Sequence, residues 1–239
     1  MEKLITICLA LYNQDKMVLE EHLKKWNNYP EEIKCKFSIL LIDDGCKIPV
    51  ETYLKDMDYK NLDLKLLRVH EDLFCNIAGV RNLGAKVCKT PWMVILDADT
   101  IINTQLAKNM IHLAEKNINS KNAFTFNRMV IGNPKHKKNN TPHPAVCLIR
   151  VEDYWDIGGC EEDLVGNYGY TDPSFWHKAE TFTKIKKHVC SNLFLEYMDE
   201  GEAPIKRDTK KNEKLFKKRI ISKEWSTDYV RFEWSEVKL

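Results

Sequence analysis

The feature that most constrains this chain is a repeated unit: a short apolar run ending in polar side chains, followed by an amphipathic stretch. Residues 4–11 form one such run and end in Tyr12-Asn13, residues 37–42 end in Asp43-Asp44-Gly45, and residues 92–96 end in Asp97-Ala98-Asp99. Residues 64–69 read as a further strand. Short runs rich in Ile and Leu suit strands covered on both faces. Between them, residues 15–28 place Leu19, Leu23 and Trp26 at helical spacing and stop before Pro30, and residues 77–88 and 103–116 also read as helices. Strands alternating with helices predict an α/β fold with a mostly parallel sheet flanked by helices. Ligands in such sheets bind beyond the carboxyl ends of the strands. Three separate stretches therefore deliver polar side chains to one edge.

The second half reads differently. Residues 123–131 and 145–151 look like a strand pair joined by a Pro/Lys/Asn loop over 132–144. Gly158-Gly159 opens a Gly/Tyr-rich loop reaching Tyr170, residues 171–180 predict a short helix, and 182–198 a strand or strands. A basic helix is expected from about 208 to 221, ahead of an aromatic tail with Trp225, Tyr229, Phe232 and Trp234.

Composition narrows the class. With 239 residues, 44% hydrophobic and 30% charged, the chain is globular rather than disordered. No apolar run approaches the ~20 residues a membrane helix needs, and the first apolar stretch is too short for a signal peptide. None of the eight cysteines lies in a Cys-x-x-Cys pair, which argues against a zinc ribbon or a thioredoxin-type site. A cytoplasmic protein with reduced thiols is the expectation. The net charge of +2 hides nine Lys/Arg against two Asp/Glu over residues 206–223, and a second cluster at Lys135-His136-Lys137-Lys138. Both read first as solvated faces. Weak peripheral contact of the basic helix with an anionic membrane is the alternative, and nucleic-acid binding is not expected.

An Asp-x-Asp spacing alone says little, since Asp56-Met57-Asp58 repeats it in a polar stretch. Placement distinguishes Asp97-Ala98-Asp99. Residues two apart on an extended segment point the same way, and paired carboxylates at a buried strand end repel unless a cation neutralises them. Hard oxygen ligands suit Mg²⁺ or Mn²⁺, which keep open positions for substrate phosphates. No Walker loop, Gly-x-Ser-x-Gly elbow or Gly-x-Gly-x-x-Gly fingerprint occurs.

Six segments in order then carry a resemblance. They are residues 7–13 with Tyr12-Asn13, Ile42-Asp43-Asp44-Gly45, Gly79-Val80-Arg81-Asn82-Leu83-Gly84, residues 94–99, Gly158-Gly159-Cys160-Glu161-Glu162, and Gly169-Tyr170-Thr171-Asp172. Together they resemble the motif series of the family 2 glycosyltransferases, which have the GT-A fold. The resemblance implies metal-dependent, inverting transfer of a sugar from a nucleoside-diphosphate sugar, usually a UDP-sugar, to a hydroxyl acceptor such as a glycan. It divides the chain into a domain over 1–200, with a nucleotide-sugar-binding half at 1–104 and an acceptor-binding half at 105–200, and a basic helical extension at 201–239. It also implies roles: Ala10 and Tyr12 line the base pocket, Asp44 bonds the base, Arg81 sits near the diphosphate or braces the metal segment, Asp97 faces the ribose, and Asp99 binds Mn²⁺ or Mg²⁺. Asp172 is the implied general base. Pro173 after it predicts that Asp172 caps the following helix, with Asp163, Glu162 and Glu161 as fallback carboxylates.

Two positions depart from the family pattern. Thr171 stands where the Glu of a Glu-Asp pair is usual, and no His follows at the usual metal-binding distance. Glu196 is the candidate replacement ligand, with His188 a poorer match. Trp155, Tyr168, Tyr170 and Trp176 read as core packing or an acceptor platform. A nucleotidyltransferase and a non-catalytic nucleotide-sugar-binding module are the competing functions. The first lacks the Gly-rich phosphate loop it needs, and the second is motivated by Thr171 and Glu196.

Overall fold

The computed structural model describes residues 2–198 and 207–239. In chain order the elements begin β1 (Ile5–Leu11), α1 (Lys16–Asn27), α2 (Glu31–Lys34), β2 (Phe37–Asp43), α3 (Val50–Leu54), β3 (Leu64–Val69), α4 (Ile77–Val87), β4 (Trp92–Leu96), β5 (Thr100–Ile101) and α5 (Thr104–Lys116). They continue with β6 (Asn122–Val130), β7 (Pro142–Arg150), α6 (Val151–Asp156), a 3-10 turn at Glu162–Leu164, α7 (Thr171–Phe182), β8 (Lys186–Tyr197), α8 (Lys210–Ser222) and β9 (Trp234–Val237).

One sheet runs in the order β5-β8-β6-β7-β4-β1-β2-β3-β9. Its centre is the parallel run β4-β1-β2-β3, as the alternating pattern predicts. Antiparallel strands flank it on both sides, β7 against β4 and β9 against β3. The register places Leu11 beside Asp43 and Leu9 beside Leu96, so the ends of β1, β2 and β4 meet at one edge.

Each face of the sheet carries its own core. Ile5, Ile7, Leu9 and Leu11 pack with Leu19, Leu23 and Trp26 of α1 and Leu106 and Met110 of α5. Cys8 faces the other way, with Val80 and Leu83 of α4, Tyr154 of α6 and Phe175 of α7. Residues alternate in face along a strand, which explains why the central strands read as unbroken apolar runs. Each fully buried Leu or Ile contributes on the order of 2 kcal/mol.

Residues 207–239 pack on this body. Phe216 of α8 stacks near Tyr170, His177 and Trp225. The buried Asn212 amide donates to the carbonyls of Leu164, Asn167 and Gly169. The edge pairing of β9 was not foreseen from its short, polar-interrupted sequence. Among the described residues no helix is long and apolar enough to cross a membrane.

One local expectation is corrected. Asp172 does not cap α7: the cap is Tyr170, in the left-handed region at φ 66°, and Thr171 and Asp172 already lie in the first turn. Ser174 N–H donates to Tyr170 O at 3.0 Å. Pro173 is thus tolerated one position before that bond, where an N–H has no intrahelical partner to lose.

Candidate active site

Beyond the ends of β1, β2 and β4 opens a cleft of about 650 Å³, and Ala10, Tyr12, Asp44, Arg81, Asp97 and Asp99 all line it. Six residues singled out from sequence are thereby brought together.

At the β2 end the two adjacent carboxylates have different tasks. Asp43 is fully buried and accepts from the N–H groups of Cys46 at 2.7 Å and Val50 at 3.0 Å, with Arg68 at 3.3 Å. It shapes the turn. Gly45 makes that turn possible: its φ is +66°, and an added Cβ would sit 2.4 Å from the Glu71 carbonyl oxygen. Asp44 instead faces the cleft, only 3% exposed, and accepts from Asn76 Nδ2 at 2.9 Å. Burial pushes its carboxyl up to about 7, with the Asp43 and Asp72 charges adding and the Asn76 hydrogen bond opposing. Tyr12 donates its hydroxyl to Asp72 at 3.0 Å, and burial with that contact lifts the phenol to about 12.

The Asp97-Ala98-Asp99 turn after β4 is held through its backbone. Thr100 donates to the Asp97 carbonyl, and Met198 N–H donates to the Asp99 carbonyl. From beneath, the fully buried His22 of α1 meets the Ala98 carbonyl at 2.9 Å through Nε2. A carbonyl only accepts, so Nε2 carries the proton. Burial drops the His22 pKa to about 4, and the ring is neutral.

Arg81 links the two halves. Its guanidinium, 8% exposed, reaches Asp97 Oδ1 at 3.1 Å and Asp172 Oδ1 at 2.6 Å. Despite its burial, these two carboxylates hold its pKa well above the ordinary value. It lines the cleft and at the same time braces the Asp97 segment. Next along α4, Asn82 accepts from Tyr154 Oη and Cys160 N–H and donates to Glu162 at 2.7 Å. Arg81 and Asn82 together fasten the α4 edge to the Gly158–Asp172 region.

Other sequence candidates lie elsewhere. Glu196 lies outside the cleft lining: its carboxylate accepts from Lys25 at 2.6 Å and Asn103 at 3.2 Å, while the adjacent Tyr197 lines the cleft. Strand alternation turns one of the pair away. His188 stacks on Phe124 and bonds Asn122, also outside the cleft. Glu161, Glu162 and Asp163 are taken by the C-terminal segment, through Ser226 N–H, Val230 N–H and Arg231. Trp155 packs on Tyr154 and Tyr229, and Trp176 donates to the Pro144 carbonyl and lies under Lys187. Tyr170 packs on Phe216, and Tyr168 lies beneath the Arg207 guanidinium.

Sequence reasoning missed His143. Asp97, Asp99 and His143 each bring one N or O atom to within 4.8 Å of the others. Two carboxylates converging at the mouth of a cleft are a donor set that fits a hard divalent ion. The only sequence signal was a His clamped between Pro142 and Pro144.

Comparison with known proteins follows the same lines. The crystal structure of S. aureus TarS 1-349 is 18% identical, with a TM-score of 0.62, covering 82% of this chain and 60% of that one. The same protein in complex with UDP-GlcNAc is 15% identical, with a TM-score of 0.65 and coverage of 84% and 60%. GalNAc-T7 with UDP, GalNAc and Mn²⁺ is 13% identical, with a TM-score of 0.61 and coverage of 82% and 44%. This chain thus spans less than two thirds of the length of those solved chains, and the likeness is one of fold. No curated protein matches it by sequence. The family model described as Glycosyl transferase family 2 matches residues 6–161. With residues from four of its motif segments lining one cleft, a GT-A arrangement of strands and helices, and that match over more than half its length, the chain belongs to glycosyl transferase family 2.

Proposed function

We propose that this glycosyltransferase moves a sugar from a UDP-sugar to a hydroxyl acceptor, a glycan, with inversion at the anomeric carbon. Residues 1–104 bind the donor, 105–200 the acceptor, and 201–239 form an extension. The observation that carries this reading is the Arg81 bridge between Asp97, in the cleft, and Asp172, beside it. TarS bound to UDP-GlcNAc and GalNAc-T7 bound to UDP support the donor class.

In this reading Ala10 and Tyr12 flank the base, and the Asp44 carboxylate accepts from a base N–H. Asp97, fixed by Arg81, takes a ribose hydroxyl. Asp99 is the residue that would hold Mn²⁺ or Mg²⁺, and such an ion would supply positive charge against the charge developing on the leaving diphosphate. Asp172 has its Oδ1 on Arg81 and uses Oδ2 as the proton acceptor. As the acceptor oxygen loses its proton to Asp172 it forms a bond to the anomeric carbon. The bond from that carbon to the diphosphate oxygen breaks on the opposite side, and its electron pair leaves with UDP. Eight cysteines outside any disulfide favour a reducing compartment, the cytoplasm. The Lys-rich outer face of α8 is the candidate for weak contact with an anionic membrane.

A thermal-shift screen of nucleoside diphosphates with and without Mn²⁺ tests the donor site, because a ligand bound only to the folded form raises its melting temperature. UDP is expected to give the largest shift, and more with Mn²⁺. Silence from every nucleotide ends the proposal. Inversion is read from the anomeric proton coupling of the product, and transfer by Asp172→Asn at wild-type rate would remove Asp172 from its role.

A further inference from the structure

We propose that His143 is a fixed hydrogen-bond donor that positions Asp97, and that it does not ligate the divalent ion although it stands beside Asp97 and Asp99. The functional half of this rests on the donor-binding reading above. The structural half stands on hydrogen-bond direction.

A neutral imidazole has one nitrogen that donates and one that accepts. Backbone N–H groups only donate. Those of Ala145 and Val146 meet His143 Nδ1 at 3.2 and 3.0 Å, at an irregularity of β7 where Pro144 contributes no N–H of its own. Nδ1 is therefore the bare nitrogen, and the ring proton sits on Nε2. Flipping the ring would put a carbon against both N–H groups. The residue is only 4% exposed, so water cannot replace the lost acceptor, and each orphaned donor costs about 1–3 kcal/mol.

Nε2 faces Asp97 Oδ2 at 4.0 Å, while Asp97 Oδ1 accepts from Arg81 at 3.1 Å. Asp97 thus has Arg81 hydrogen-bonded to Oδ1 and His143 Nε2 next to Oδ2, just beyond hydrogen-bond distance. A small closure on donor binding makes the His143 contact a full hydrogen bond. Burial, with the charges of Arg128 and Arg81, keeps the ring below its ordinary pKa against the pull of Asp97 and Asp172.

Metal-binding histidines show the opposite polarity. The ligating nitrogen must be bare, and the other N–H donates to a carbonyl or carboxylate behind it. Behind His143 stand two donors. Coordination through Nε2 would require an imidazole stripped of both protons, or an Nδ1 proton driven against two N–H groups. Of the three grouped residues, Asp99 is left to hold the ion together with phosphate and water oxygens, the hard set that Mg²⁺ and Mn²⁺ prefer.

The test is side-chain ¹⁵N–¹H correlation NMR on histidine-labelled protein, before and after adding UDP with diamagnetic Mg²⁺. His143 is expected as the Nε2–H form in both states. An Nδ1–H form, or loss of the Nε2 proton when Mg²⁺ and UDP are added, overturns the proposal. Two variants extend the test. His143→Asn keeps an oxygen where Nδ1 sits, so the Ala145 and Val146 N–H groups retain their acceptor, but it deletes the donor facing Asp97. His143→Gln keeps a donor near the Nε2 position. The Asn variant is expected to bind UDP about tenfold more weakly, the loss of roughly one charge-assisted hydrogen bond. Its Mn²⁺ affinity at saturating UDP, read by electron paramagnetic resonance, should stay within about twofold of wild type. The Gln variant should recover most of the UDP affinity. A tenfold fall in Mn²⁺ affinity, or unchanged UDP affinity in the Asn variant, also overturns the proposal. If UDP fails to bind the wild-type protein, the donor reading fails on its own, and the NMR tautomer still decides whether His143 is a donor.

Discussion

Arg81 donates to Asp172 at 2.6 Å across a sequence separation of 91 residues, and the same guanidinium holds Asp97. One cation thereby sets the distance between the end of β4 and the start of α7. Removing it leaves two carboxylates facing each other without their shared donor. Loss of one partner from a pair this buried costs several kcal/mol, less where the carboxylates keep some water. Arg81→Met is expected to lower stability by about 2–4 kcal/mol in chemical denaturation. Adding Asp172→Asn to it should cost clearly less than the sum of the single changes, because both remove the same contact. Additivity within about 0.5 kcal/mol would show that the bridge carries no coupling.

Asp44 makes the site a source of instability above neutral pH. Its folded-state pKa is raised to about 7, while the unfolded chain loses that proton near 3.8. Stability from this group is full below about pH 4, and it falls as pH rises through about 7. A shift of that size corresponds to about 4 kcal/mol. Asp44→Asn keeps an acceptor for Asn76 and carries no charge. It should therefore match wild type near pH 4 and exceed it by up to that amount at pH 8. UDP affinity at pH 8 should fall at the same time. A variant no more stable than wild type at pH 8 would mean that the carboxylate is not held protonated by burial.

His22 acts with the opposite sign. Burial lowers its pKa to about 4, so the unfolded state binds the proton first as pH falls below about 6.5. Stability is lost between pH 6.5 and about 4, by up to roughly 3 kcal/mol. His22→Gln offers the Ala98 carbonyl an amide donor that does not titrate. Its stability, followed by denaturant titration from pH 7 to pH 4, should decline less on acidification than that of wild type. Parallel curves would place the acid-sensitive group elsewhere.

Much of this site was legible because its parts obey local rules. The runs that became β1, β2 and β4 are short, apolar and followed by polar residues, and parallel sheets put such residues at one edge. The same rules stop at contacts between distant segments. Nothing at Arg81 signals Asp172, because the bridge depends on how α7 packs against α4. His143 is a single His in a Pro-flanked strand start, and its ring polarity comes from the Ala145 and Val146 N–H groups that meet Nδ1. The place of Glu196 was not legible because position along β8 does not give facing: the neighbour Tyr197 enters the cleft, and Lys25 pairs with Glu196. β9 escaped notice because a four-residue edge strand owes its existence to the free edge of β3.

The C-terminal segment supplies most of the donors to an acidic cluster that would otherwise be buried and under-satisfied. Glu162 is 3% exposed, and besides Asn82 it accepts from Val230 N–H at 2.7 Å and Arg231 N–H at 3.2 Å. Glu161, 1% exposed, accepts from Ser226 N–H at 3.0 Å. Deleting residues 224–239 takes away all three N–H groups together with the β9 pairing. A buried carboxylate stripped of its donors costs several kcal/mol, so the truncated chain should be destabilised by on the order of 5 kcal/mol or more. If lost charge compensation is the cause, and not only lost packing, Glu162→Gln should restore part of that stability in the truncated chain. In the full-length protein the same change should destabilise, because the charge-assisted bonds from Val230, Arg231 and Asn82 weaken. The sign of the Glu162→Gln effect, measured by denaturation in both backgrounds, decides the matter. The same sign in both would mean that the tail holds the fold through its apolar contacts alone.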